Sequence, residues 1–280
     1  MARASPPAPL LQVLRWQSRT QVFHERLDGL ELAMVRIPAG AFLMGSPPEE
    51  PERLDSEGPQ HPVELGEYLI GQTPITQAQW RQVARWRERP GERWGRELEP
   101  EPSFFQPHRN PKARGYGDER FSLLEGETNS DQRPVDNVNW LDAIEFCNRL
   151  SQRTGRHRHY TLPSEAQWEY ASRAGTLEPF HFGASLTPEL ANYKGRITYA
   201  NGPKGEYREQ TTPVGLFPAN AWGLHDMHGN LWEWCLDHRH DSYEGAPPDG
   251  SAWLNTTRPI KDAITEKGHD SVSEKEERLL

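Results

Sequence analysis

Cysteine is scarce: Cys147 and Cys235 are the whole supply in 280 residues. Two thiols cannot build a disulfide framework or a four-thiolate zinc site. No stretch approaches the ~18 apolar residues of a membrane span. The N-terminal run Leu10-Leu11-Gln12-Val13-Leu14 is broken by Gln12, and no small-residue cleavage site follows, so a signal peptide is not expected. Basic residues are outnumbered, 32 Lys and Arg against 41 Asp and Glu, giving a formal net charge of −9. That balance speaks against nucleic acid as a partner. Gly-rich phosphate loops, His-Glu-x-x-His zinc helices and Gly-x-Ser-x-Gly nucleophile elbows are also missing. These absences predict a cytoplasmic chain with neither membrane nor nucleic acid as partner.

What is abundant is punctuation. The chain carries 25 Pro and 23 Gly without a period, and 10 Trp. Even with glycine counted in, the apolar share stays below the ~45–50% usual in globular chains. The composition therefore favours a loop-rich domain with unfolded flanks, and the tryptophans argue for a packed core between them.

Residues 1–22 read as a flexible N-terminal arm, with order beginning near Leu30. Alternation in Glu31–Pro38 fits a half-buried strand, and Ala41–Met44, set between glycines, fits a hairpin-like segment. Residues 47–60 hold five carboxylates and read as a solvated loop. Three helix starts are legible as capping signals, at Thr76, at Asn139 and at Ser164. Residues 87–132 are dominated by Arg, Glu, Pro and Gly and read as a surface insertion with little core of its own. Strict alternation in Asn230–Leu236 predicts a strand with Trp232, Trp234 and Leu236 on one side and Leu231, Glu233 and Cys235 on the other. Residues 255–280 are poor in large apolar side chains and read as a divergent, disordered tail, with a short helix start at Ser273 as the alternative.

Chemistry concentrates in Asp226-Met227-His228-Gly229-Asn230-Leu231-Trp232-Glu233. Calcium takes six to eight oxygens from carboxylates, carbonyls and amides. A turn at Gly229, entered from Asp226 and left toward Glu233, can bring both carboxylates and the intervening carbonyls to one point. A capped turn leading into an edge strand would show the same spacing.

Several segments, in order, resemble the formylglycine-generating enzyme, or sulfatase-modifying factor, family. They are Ile37-Pro38-Ala39-Gly40 through Gly45-Ser46, Pro74-Ile75-Thr76-Gln77-Ala78-Gln79-Trp80, Arg133-Pro134-Val135 with Val138-Asn139-Trp140, and Tyr160-Thr161-Leu162-Pro163-Ser164-Glu165-Ala166-Gln167-Trp168-Glu169. The last runs from Thr212-Pro213-Val214-Gly215 through Trp222-Gly223-Leu224-His225-Asp226 to Trp232-Glu233-Trp234. The match spans about residues 30–254, and we place the domain at 23–254. The resemblance implies an α+β, C-type-lectin-like fold, loop-rich with short strands and about three helices. It implies two calcium sites. One falls on Asp226, Gly229, Leu231 and Glu233, with carbonyls from Gly229 and Leu231. The other falls on Asn192, Tyr193, Glu206 and Arg208, where Glu206 stands in for the family's usual aspartate.

The resemblance also fails at an informative place. Family members continue into an Arg-Gly-Gly-Ser-Trp stretch and a closing Gly-Phe-Arg, whereas this chain turns at Asn255 to Thr256-Thr257-Arg258-Pro259-Ile260. The family's catalytic cysteine pair, which binds copper(I) and directs oxygen at a substrate cysteine, lies in that region. The domain therefore reads as C-terminally truncated. Cys147, on a predicted helix face, and Cys235 read as inert thiols, so no catalytic residue is assigned and copper is not expected. The histidines in His157-Arg158-His159 and His238-Arg239-His240 read as surface or capping residues. The expectation is a non-catalytic, calcium-stabilised domain that binds a protein or a small ligand. The alternatives are a formylglycine-generating oxidase acting on a protein cysteine, or a truncated copy without independent function.

Overall fold

The computed structural model describes residues 19–106, 124–200 and 202–255. The sequence-based readings of residues 1–18 and 256–280 lie outside the described residues. Order begins earlier than the sequence pattern suggested: β1 (Val22–Leu27) precedes β2 (Leu30–Ile37). The two are joined by Asp28 and Gly29, both at positive φ, the tight two-residue hairpin that an Asp-Gly pair favours. β3 (Gly40–Met44) pairs antiparallel with β4 (His61–Leu65), and β5 (Tyr68–Gly71) pairs with β2, giving a three-stranded sheet in the order β1-β2-β5.

The three expected helices form. They are α1 (Gln77–Ala84), α2 (Trp140–Arg153) and α3 (Glu165–Arg173). Each begins with a reciprocal capping box. Thr76 accepts from the Gln79 amide, Asn139 from Asp142 and Ser164 from Gln167, and each third residue reaches back to the cap. The strand expected at 230–236 does not form. Gly229 and Asn230 are at positive φ and the Leu231 amide donates to the Gly229 carbonyl at 3.0 Å. The chain bends there, and alternation does not survive. Among the described residues no helix or strand follows α3, so the fold is α+β and loop-rich.

β2 organises the core because it is buried on both faces. Leu30 and Leu32 face one hydrophobic cluster with Trp80, Val83, Phe146 and Leu150; Val35 and Ile37 face a second with Val63, Leu65, Ala171 and Leu224. Trp80 of α1 stacks on Phe146 of α2, centroids 5.2 Å apart. Trp86 and Leu98 also bury in the first cluster, with Trp94 against it. Leu98 and Trp94 thus set part of the described stretch 87–106 against the core, while residues 107–123 of the expected insertion lie outside the described residues. Its Arg-Glu richness hid anchoring residues spaced too far apart to show a period.

Ion pairs lock this half together. Glu145 and Arg149 are buried on α2 at 3.1 Å, and Arg149 also donates to the carbonyls of Val83, Ala84 and Arg96 at 3.2, 3.1 and 2.7 Å. The Gly95 amide and the Asn148 side chain complete Glu145. One guanidinium therefore caps α1 and ties the 94–98 stretch to α2. Substituting Arg149→Met leaves a buried carboxylate without its cation, and urea unfolding should register a loss of about 3–5 kcal/mol. The double variant Glu145→Leu/Arg149→Met should recover part of that loss, since it removes the stranded charge.

Candidate functional site

The region after α3 holds itself together with side-chain amides. Asn220 donates to the carbonyls of Ala171 and Ser172 at the end of α3 and accepts from the amides of Trp222 and Leu224. Asn230 does the same one turn further on. Its Oδ1 accepts from the Thr212 amide at 2.8 Å and from Asn192 Nδ2 at 3.2 Å, and its own amide donates to the Asn192 carbonyl at 2.8 Å. Asn230 Nδ2 reaches the Thr212 carbonyl at 3.2 Å and Asp226 Oδ1 at 3.5 Å. Gly229 is required beside it: a Cβ there would lie 2.4 Å from the Asn192 carbonyl oxygen. Asn192 and Gly229 are thus brought side by side from the two separate sets predicted from sequence. Sequence reasoning overlooked Asn230, although an asparagine after a turn glycine is a legible sign of side-chain support for a loop.

Asp226 is 6% exposed, and its Oδ2 accepts from the Gly215 amide at 2.7 Å. Burial raises its pKa. Burial also pushes the Glu233 carboxyl up to about 7, the Trp168 indole opposes that shift, and the negative charge of Asp226 adds to it. The two desolvated carboxyls thus repel each other, and carboxylates and backbone carbonyls are the oxygens that a hard divalent cation takes. The Gly229 carbonyl also accepts the Leu231 amide. Among the described residues no three His, Cys, Asp or Glu side chains converge on one point. A cation here would therefore rest on two carboxylates plus backbone oxygens.

The other set fits a cation less well. Glu206 has a side chain 64% exposed and is already paired with the Arg208 guanidinium at 3.2 Å, which also donates to the Pro188 carbonyl at 3.0 Å. The Tyr193 carbonyl accepts the Gly195 amide at 2.8 Å, and Asn192 Nδ2 is committed to the Gln210 carbonyl and Asn230. A resident cation already neutralises the one carboxylate of that group.

A cleft of about 1110 Å³ opens beside this region, walled by both hydrophobic clusters, with Cys147 and Cys235 on its surface. Burial pushes the Cys147 thiol up to about 12. Burial raises Cys235 as well, helped by the charges of Asp237 and Glu233. Asp237, with Oδ2 accepting from the Glu165 amide at the start of α3 and Oδ1 from the Trp253 amide, is raised by burial to about 6. His238 accepts from the Asn255 amide, and His240 stacks on Trp253. These two histidines pack the chain.

These features define a loop-rich α+β domain. A sulfatase-modifying factor enzyme 1-like domain matches residues 20–276. The chain belongs to that family. It is 29% identical to the mouse inactive C-alpha-formylglycine-generating enzyme 2 over 91% of this chain and 84% of that protein. It is 31% identical to the Mycobacterium tuberculosis formylglycine-generating enzyme over 77% of each. Among solved structures it superposes on PvdO from Pseudomonas aeruginosa with a TM-score of 0.59 and 30% identity, covering 85% of this chain and 82% of that one. The family match continues through residue 276, past the Asn255 departure noted in the sequence. No helix among the described residues is long and apolar enough to cross a membrane.

An aromatic pocket next to the turn carries a pH dependence. His228 Nε2 accepts the His181 amide at 3.0 Å, and the two rings stack at 4.9 Å among Phe180 and Phe182. Burial lowers His228 to about 3, with the charges of His181 and Arg173 adding, and lowers His181 to about 4, with His225 adding. The unfolded chain protonates both rings near 6.5. Stability from their neutral packing is therefore complete above about pH 6.5 and is lost as pH falls toward 3–4. Melting temperature should drop across that window, and His228→Gln should flatten the drop.

Proposed function

We propose that this chain is a cytoplasmic, non-catalytic member of its family: a calcium-stabilised domain that binds a protein or small ligand through its irregular loop surface. The observation that carries this reading is the condition of the two thiols. Formylglycine chemistry through copper(I) needs a pair of accessible thiolates. Cys147 and Cys235 instead have thiol pKa values raised by burial, the first to about 12. The relatives include a protein named as inactive and one named as active, so the non-catalytic reading draws its support from the thiols and not from kinship. Calcium would be held by Asp226 and Glu233 with the carbonyls of Gly229 and Leu231, where it supplies the positive charge that the two carboxyls lack.

Purified protein given copper(I), oxygen and a sulfatase-type Cys-x-Pro-x-Arg peptide should yield no aldehyde; turnover would overturn the non-catalytic reading. At a free calcium concentration 100 times Kd, binding should add about 2.7 kcal/mol. Chelation should therefore lower the melting temperature by several degrees, and Glu233→Ala should abolish the difference. Glu233 must ionise to hold the ion, and its pKa lies at about 7. The calcium increment should therefore be larger at pH 8 than at pH 6, because the folded apo-protein retains a proton that calcium must displace. A melt indifferent to chelator at pH 8 would remove calcium from the proposal.

A further inference from the structure

The stretch after α1 holds two tryptophans whose indole nitrogens have nothing to donate to. Trp86 is 8% exposed and Trp94 is half-buried, and the Nε1 atom of each is buried without an acceptor among the described residues. A buried donor left unpaired is costly, and native chains keep few of them. Here two fall on one cavity of about 440 Å³, which both rings line beside the C-terminal end of α1. Both rings are held in place: the Arg153 guanidinium lies 4.4 Å from the Trp86 ring centre, and that of Arg149 lies 4.1 Å from the Trp94 ring centre. Leu98 adds an apolar wall. The space is many times the ~30 Å³ share of one water, and its size falls within the ~300–1,000 Å³ of small-molecule sites.

Charge divides the lining in two. Its buried residues offer donors without spare positive charge: Arg149 is matched by Glu145, and Arg96 by Asp142 at 3.1 Å. The two indole N–H groups are neutral. Its exposed residues include Glu88 and Glu97. Glu88 Oε1 accepts the Trp94 backbone amide at 2.7 Å, a neutral partner that leaves the charge uncompensated. No ion pair among the described residues matches Glu88 or Glu97. A ligand that completes this cavity therefore presents a neutral acceptor to the indoles and a cation to the two carboxylates.

We infer that this cavity binds a small cationic amine that also carries a neutral carbonyl, the chemistry of an aminoacyl amide. The carbonyl oxygen accepts from the Trp86 and Trp94 indoles, the ammonium meets Glu88 and Glu97, and an aliphatic body packs against Leu98. A carboxylate in place of the carbonyl would need a cation of its own, and both guanidinium groups of the lining are already matched. Binding here rests on the small-ligand reading proposed above and is independent of calcium and of the thiols. A melt indifferent to chelator would leave this site standing, and an empty site would leave the calcium melt unchanged.

Indole N–H resonances of the isotope-labelled full-length chain read the site directly. L-leucinamide should move two of them downfield, those of Trp86 and Trp94, and leave the other indoles in place. Trp86→Phe and Trp94→Phe, which keep an aromatic ring, each delete one and so assign the pair. Free L-leucine, which carries a carboxylate, and N-acetyl-L-leucinamide, which has no ammonium, should each bind about tenfold more weakly. Glu88→Gln/Glu97→Gln should weaken L-leucinamide about tenfold and leave N-acetyl-L-leucinamide unchanged, whereas a merely structural loss would weaken both. Leucyl-glycinamide tells a chain terminus, if it binds as well, from a free amide, if it does not; either result upholds the site. If neither indole moves at about 20 mM L-leucinamide, far above a millimolar Kd, the cavity holds water only and the inference falls. L-leucine binding as tightly as its amide would overturn the assignment of the cation and the carbonyl.

Discussion

Some eighty residues after α3 must bury backbone without a ladder to satisfy it. In a regular element the amides and carbonyls pair with one another, whereas a buried loop leaves each group needing its own partner. Here asparagine side chains act as substitute peptide units. Asn220 closes the end of α3 against the 220–224 turn, and Asn230 joins three separate segments through Thr212, Asn192 and Asp226. An amide carries both donor and acceptor in one plane, as a peptide does, so it can replace ladder bonds on both sides at once. Asn230 thereby also ties Asp226 to the Thr212 and Asn192 segments.

The two halves of the molecule handle buried charge in opposite ways. Around α1 and α2 the carboxylates are matched with guanidinium groups: Glu145 with Arg149, Glu127 with Arg133, Glu92 with Arg153. Glu127 and Glu92 accordingly have lowered pKa values, through their arginine partners and backbone amides, despite an opposing desolvation. Around the cleft no such cation accompanies Glu233 or Asp226 among the described residues, and Asp237 accepts from backbone amides, so desolvation raises all three pKa values. The same low-polarity environment raises both thiols. One physical cause, burial, therefore raises the pKa of both the thiols and the carboxyls.

Much of this was legible in local patterns. The capping boxes at Thr76, Asn139 and Ser164 placed all three helices because each signal is short and self-contained. β2 was legible for the same reason. The Asp28-Gly29 hairpin was present in the sequence and was passed over because β1 is only partly buried and shows weak alternation. The strand expected at 230–236 failed because positive φ at Gly229 and Asn230 turns the chain before the alternation can be used. The burial of Trp86 and Leu98 could not be read at all, since it depends on Arg149 reaching across from α2 to cap α1. Of the candidate site residues, the turn at Gly229 was legible from its glycine, which takes positive φ. The juxtaposition of Asn192 with Gly229 is a long-range contact that no local pattern encodes.

Family membership constrains the fold far more tightly than the chemistry. Caps, turn asparagines and the doubly buried β2 can be kept by a domain that has changed its reactive groups, because they serve stability and are independent of any thiol. Catalysis by a cysteine pair needs two sulfurs that are close, exposed and ionised, and each requirement opposes burial. Cys147 follows from the apolar face of α2, and Cys235 accepts the Trp140 indole through its backbone carbonyl. Both positions are dictated by packing of the same wall. A side chain placed there to complete a core is desolvated by that placement, and desolvation raises the thiol pKa and lowers the share of thiolate.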